Sequence, residues 1–195
     1  ISIMKISEKL ADLNLERFKS FGHQDKKAAV FAFAGDTYQG FDAATLNSDG
    51  LRWAQDHLRI LSGLYGILRP FDEIEPYRLE MGSKLQGGHG NSLYEYWNEK
   101  ITTSLNQYGK EIKTQILVNC ASNEYFNVIK PNVLSLKVIT PVFLERKDGK
   151  EKIISFKKNY SINNILENIK NINNFIDFKS KIIKRSIEKK ISIIA

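Results

Sequence analysis

Two short apolar runs constrain the fold more than anything else in this chain. They are Ala28–Ala34, reading Ala-Ala-Val-Phe-Ala-Phe-Ala, and Gln115–Cys120, reading Gln-Ile-Leu-Val-Asn-Cys. Both runs are continuous rather than alternating. Each stops at turn-forming residues, Gly35-Asp36 after the first and Ala121-Ser122-Asn123-Glu124 after the second. A strand with water on one face alternates apolar and polar positions, so a run that does not alternate reads as a strand covered on both sides. The chain is therefore expected to be α/β, a single mixed-sheet domain with flanking helices. Its 195 residues, 42% of them hydrophobic, suffice for one substantial core and are too few for two full domains.

Helical spacing supplies the covering elements. Ile3, Ile6, Leu10 and Leu13 predict an amphipathic helix from Ile1 to about Phe18. Leu51, Ala54, Leu58 and Leu61 predict another, capped at its start by Ser48-Asp49 and stopped by Ser62-Gly63. Gly66 then allows a tight hairpin through Leu64 and Tyr65. Ser92 opens a helix whose apolar face holds Leu93, Tyr96, Trp97, Ile101 and Leu105. Ser122 turns into a short helix that ends before Pro131. Val138–Glu145 and Lys152–Phe156 flank Asp148-Gly149, which predicts a β-hairpin completing the sheet.

Two places are ready for an anion. In the first, the hairpin amides of Gly63, Leu64, Tyr65 and Gly66 form a concavity, with Arg59, Arg69, Arg78 and Lys84 supplying charge. Those arginines have an alternative use, pairing with Asp56, Asp72, Glu73, Glu75 and Glu80. The second is the turn Ala121-Ser122-Asn123-Glu124, where a strand passes through small polar residues into a helix N-terminus, and a wider second set of candidates is drawn from strand ends and the turns beside them: Asp36, Tyr38, Arg78, Glu80, Asn119, Ser122, Glu124 and Lys130. Asp36 can equally organise a turn between Gly35 and Gly40, and Ser122 can serve as a helix cap with Glu124 in the first turn. This second set suits an enzyme or binding protein for a small phosphorylated or nucleotide-like ligand.

The blocks Leu61-Ser62-Gly63-Leu64-Tyr65-Gly66 and Pro76-Tyr77-Arg78-Leu79-Glu80-Met81-Gly82 closely resemble the YaaA family of bacterial peroxide stress resistance proteins. The likeness continues through Ile6–Ala11, Phe33–Tyr38, Ala121–Phe126 and Pro141–Leu144, in family order, over roughly four fifths of the chain. The resemblance implies a cytoplasmic protein that limits oxidative damage, with a mixed α/β fold, a helix-hairpin-helix element and non-specific binding to double-stranded DNA. Arg59, Gly63, Leu64, Tyr65, Gly66, Arg69, Arg78 and Lys84 are the residues placed on that DNA. It also implies an earlier start, with a strand and a segment like Ile-Ser-Pro-Ala-Lys, so the chain is read as a fragment or an incomplete gene product in which residues 1–156 form an N-terminally incomplete domain of this kind and residues 157–195 a tail.

Charge qualifies the nucleic-acid reading. Residues 1–149 carry 18 Lys/Arg and 18 Asp/Glu, so the whole net charge of +7 sits in residues 150–195. From Lys157 onward the composition turns to 11 Ile, 8 Lys and 7 Asn among 39 residues, without glycine or proline, which reads as a basic tail, helical or disordered. One cysteine excludes an internal disulfide, and no apolar run is long enough to span a membrane. Cys120 ends an apolar strand, where thiols are usually inert. His23, His57 and His89 have no metal-ligand spacing. No catalytic residue, metal or cofactor is assigned, an iron-handling role has no supporting cluster, and the partners expected are double-stranded DNA, no membrane and no second subunit.

Overall fold

A computed structural model describes residues 6–85, 90–141, 143–147, 150–154 and 191–194. The chain starts with helix α1 (Glu8–Lys19), then β1 (Lys27–Ala28), the single turn α2 (Ala29–Ala32), α3 (Asp36–Phe41) and α4 (Ser48–His57). A hairpin follows, β2 (Leu58–Ser62) and β3 (Gly66–Leu68), and then β4 (Glu73–Ile74). Next come α5 (Leu93–Trp97), α6 (Lys100–Glu111), β5 (Ile116–Asn119), α7 (Asn123–Phe126), β6 (Lys137–Ile139), β7 (Phe143–Lys147), β8 (Lys150–Ile154) and β9 (Ile191–Ile194).

The main sheet has five strands in the order β3-β2-β9-β5-β6. The β2–β3 pair is antiparallel, whereas β2, β9, β5 and β6 run parallel. Strand alternation then builds two cores. Leu58, Ile60 and Val118 pack with Ala29, Val30, Phe41 and Ala54, while Leu61, Leu117 and Ile194 pack with Met81, Ile101, Leu105 and Val128. With both faces covered, β5 has the non-alternating burial its sequence predicts.

Several elements differ from their sequence expectation. The Ala28–Ala34 run is buried at Ala29 and Val30, but its backbone is a helical turn. There the amides of Ala29 and Val30 donate to the carbonyls of Asp72 and Pro70. The helix expected to reach Leu61 ends at His57, and Leu58–Ser62 is a strand with all five residues buried. A short apolar run satisfies either period, and burial on both faces favoured the strand. The hairpin through Leu64 and Tyr65 therefore joins two strands, following a helix.

Smaller corrections follow the caps. Asn47, not Ser48, is the cap of α4, its side chain accepting from the Gly50 amide. The helix opening at Ser92 breaks at Asn98, where φ is 44°, giving α5 and α6 separately. The β7–β8 hairpin forms a two-stranded sheet of its own rather than extending the main one. In α1, Leu10, Leu13 and Leu15 stay exposed and Asn14 is the buried residue. Most of the segment read as a basic tail lies outside the described residues, but Ile191–Ile194 stands in the middle of the sheet. Among the described residues, no helix is long and apolar enough to cross a membrane.

Candidate functional site

Parallel strands leave a crevice at their carboxyl ends, where the connecting turns splay apart. Here that crevice is a cavity of about 400 Å³ bounded by Leu61 of β2, the 33–38 segment, the 77–80 segment and Ala121, Ser122 and Tyr125 beyond β5. A volume of this order accommodates a small metabolite.

Its walls are aromatic. Phe33 stacks on Tyr38, centroids 5.2 Å apart and planes 24° from parallel, and meets Tyr77 edge-on at 6.3 Å. Tyr77 is fixed by a 2.6 Å hydrogen bond between its hydroxyl and the buried Ser62 hydroxyl, and by an edge contact with Tyr65. Burial raises the pKa of Tyr38 and of Tyr77, so both hydroxyls stay protonated in the physiological range. They can hydrogen-bond a ligand without adding charge.

Charge enters at the rim. The Arg78 guanidinium pairs with the Glu80 carboxylate at 2.7 Å, with both side chains nearly half exposed. The Arg78 backbone is clamped from α1, its amide donating to Asn14 Oδ1 at 2.9 Å and its carbonyl accepting from Asn14 Nδ2 at 2.8 Å. Asn14 is 4% exposed, which explains why α1 turns a polar residue inward. Ser122 caps α7 through the Tyr125 amide and also faces the cavity. The cap reading of Ser122 is therefore observed.

Of the strand-end candidates, Tyr38, Arg78, Glu80 and Ser122 line this one cavity. Asn119 and Glu124 are engaged elsewhere. Asn119 Oδ1 accepts from the Ala121 amide and shapes the turn, and Glu124 Oε1 accepts from the Gly82 amide. The Lys130 amide donates to the Thr102 hydroxyl, and its side chain is not part of the cavity wall. Asp36 is the first residue of α3, and its side chain lies outside the described residues. Sequence reasoning missed Phe33, Tyr77 and Tyr125, because aromatic residues beside apolar runs read as core.

Of the hairpin candidates, Arg59 and Arg69 line a common cavity with Tyr108, and the others are not part of its wall. Arg59 is 4% exposed, donates to the carbonyls of Gln55 and Leu58, and lies 3.4 Å from the centroid of the Tyr108 ring. Burial lowers its pKa from the ordinary arginine value, opposed by Tyr108 and reinforced by Arg69. Gly63 and Gly66 are buried: the Gly63 carbonyl accepts from Trp97 Nε1, and the Trp97 ring packs over Gly66. The Tyr65 amide donates to the Ser62 hydroxyl, and Leu64 is half-buried. Arg69, Arg78 and Lys84 are exposed.

Cys120 sits at the end of β5, where burial pushes its thiol pKa up to about 12 and keeps it protonated at neutral pH. Among the described residues, no group of three or more His, Cys, Asp or Glu is placed to hold a metal ion.

Comparison with known proteins gives a consistent result. A family model described as peroxide stress protein YaaA matches residues 1–179. A UPF0246 protein of Ruegeria pomeroyi is 54% identical over 158 residues, 79% of this chain and 62% of that relative. One of Idiomarina loihiensis is 54% identical over 159 residues, again 62% of the relative, and one of Shewanella woodyi is 46% identical over 186 residues, 73% of the relative. The aligned part of the chain thus spans under two thirds of the first two.

Proposed function

The chain belongs to the YaaA family of peroxide stress proteins, and on that premise we propose that it binds a small nucleotide-like ligand, a planar ring carrying an oxyanion, in the strand-end pocket. One observation carries the reading. Tyr38, Arg78, Glu80 and Ser122, drawn from three distant parts of the sequence, line one aromatic-walled cavity. Aromatic walls favour a flat ring. Arg78 offers a fork that matches phosphate or carboxylate, and Glu80 and Ser122 offer acceptors to ring amines and hydroxyls.

Titration calorimetry with adenosine monophosphate as probe tests this. Arg78→Ala removes a charge-assisted contact worth about 1.5–3 kcal/mol, so affinity is expected to fall tenfold or more, while Arg69→Ala and Lys84→Ala leave it unchanged. Equal affinity in Arg78→Ala, with the fold verified by circular dichroism, would sink the reading.

Double-stranded DNA, the partner the family resemblance implies, is a second reading with an observation of its own. The exposed side chains of Arg69 and Lys84 form no ion pair among the described residues, so both are available to phosphate. It predicts duplex binding that weakens with salt and whose log–log slope shallows by about 0.9 for each of these two cations removed. Arg78 serves either reading, whereas Arg69 and Lys84 serve DNA alone. Duplex affinity that ignores both substitutions removes this second reading.

A further inference from the structure

The cavity bordered by Arg59, Arg69 and Tyr108 shares no wall residue with the strand-end pocket. It holds about 450 Å³ between the β2–β3 hairpin and α6. Arg59 belongs to β2, Arg69 directly follows β3, and Thr103, Tyr108 and Glu111 come from α6.

Two guanidinium groups border this space without a counter-charge. Neither Arg59 nor Arg69 forms an ion pair among the described residues. The carboxylates in the wall are engaged by other donors: Asp72 Oδ2 accepts from the Arg69 backbone amide at 2.7 Å, and Glu111 Oε1 accepts from Gln107 Nε2 at 3.2 Å. Arginine does not shed its proton to escape burial, and a buried ion with no partner is costly. Arg59 is that ion, with almost all of its surface covered.

Its free donors form one edge. Arg59 Nη1 donates to the carbonyls of Gln55 and Leu58, whereas Nε and Nη2 have no hydrogen-bond partner among the described residues. Neither of the two is a fully enclosed atom, so the little of Arg59 that is accessible includes this edge, a two-pronged donor that matches an oxyanion. The Tyr108 hydroxyl in the same wall is a buried donor without a partner among the described residues. Native structures seldom leave such a group uncompensated.

We propose that this cavity is an oxyanion site that takes inorganic phosphate or the phosphate of a small monoester, with Arg59 as its fork and the exposed Arg69 as a second cation. The Thr103 hydroxyl, also in the wall, offers a further donor. Burial of Arg59 decides the source of the anion: a covered guanidinium is reached by an ion small enough to enter the cavity, not by a phosphate fixed in a duplex backbone. The site is independent of the ligand proposed for the strand-end pocket.

Titration of the isotope-labelled full chain with inorganic phosphate at constant ionic strength, read by NMR at Arg59 Nε–H and at the amides of Arg69 and Tyr108, tests this. A saturable shift is expected at all three. Arg59→Lys keeps the charge and loses the fork, so affinity is expected to fall about tenfold or more. Arg69→Gln alters an exposed side chain and is expected to weaken phosphate several-fold with the fold intact, while Arg78→Ala leaves it unchanged. A linear drift that chloride reproduces, or an affinity that Arg69→Gln leaves intact, would overturn the proposal. So would a folded Arg59→Lys with undiminished affinity; if that variant does not fold, Arg69→Gln decides alone. A short DNA duplex that displaces phosphate from the Arg59 signal overturns the assignment to a free anion.

Discussion

Arg59 illustrates how far a residue's context changes its role. Set on β2 facing α6, it has a buried guanidinium that donates from one nitrogen to two backbone carbonyls and is covered by the Tyr108 ring. Arg59→Ala is expected to cost about 2–4 kcal/mol, since it empties packed volume and strips two carbonyls of their donor. Urea denaturation would measure that loss. Gly63 is constrained by space: a Cβ there would sit 2.3 Å from the Leu79 carbonyl oxygen. Backbone cannot yield as a side-chain tip can, so Gly63→Ala should lose about 2 kcal/mol or more in the same assay. Cys120 predicts a pH effect. Its pKa rises from 9.0 to about 12 on folding, so between those pH values the unfolded chain has released the proton and the native chain has not. Stability therefore falls as pH climbs through that window, by up to about 1.4 kcal/mol per unit from this group. Tyr38 and Tyr77, also raised by burial, act with the same sign. Cys120→Ala should shallow the alkaline decline without abolishing it, and an unchanged slope would contradict the assignment.

At the level of elements, the caps carry stability that can be separated from function. Asn47 caps α4 by accepting from Gly50, and its replacement by Ala should cost about 1 kcal/mol with probe binding unchanged. Ser122→Ala should cost a similar amount at α7 and also weaken probe binding, because this residue lines the cavity. Elements are also where the sequence was most and least legible. The Gln115–Cys120 run was readable as a doubly covered strand because its length and its following turn agree with β5. Ala28–Ala34 carried the same pattern, yet its amides found partners in the 70–72 loop, a contact distant in sequence. Leu58–Leu61 satisfied a helical spacing by coincidence. Strand β9 was hidden altogether, since four residues at the end of an Ile-, Lys- and Asn-rich segment carry no boundary and pair with strands far back in the chain.

For the whole molecule, the sheet explains why the site is where it is. Parallel strands β9 and β5 end level, Ile194 opposite Asn119, β2 runs three residues past its pairing of Arg59 with Ile194, and the segments 33–38, 77–80 and 121–125 border the cavity there. Among the residues that line the cavity, Tyr38 and Ser122 were legible as positions just beyond apolar runs. Phe33, Tyr77 and Tyr125 were not, because packing against the core and lining a pocket call for the same residue types. Charge was the weaker guide: its whole excess lies in residues 150–195, while the pocket owes its polarity to one arginine, one carboxylate and protonated hydroxyls. Amide chemical-shift mapping with adenosine monophosphate tests the central claim most directly. Perturbations gathered at residues 33–38, 77–80 and 120–125, and lost in Arg78→Ala, are the predicted result. Perturbations gathered instead around Arg59, Arg69 and Tyr108, or absent at saturating probe, would contradict it.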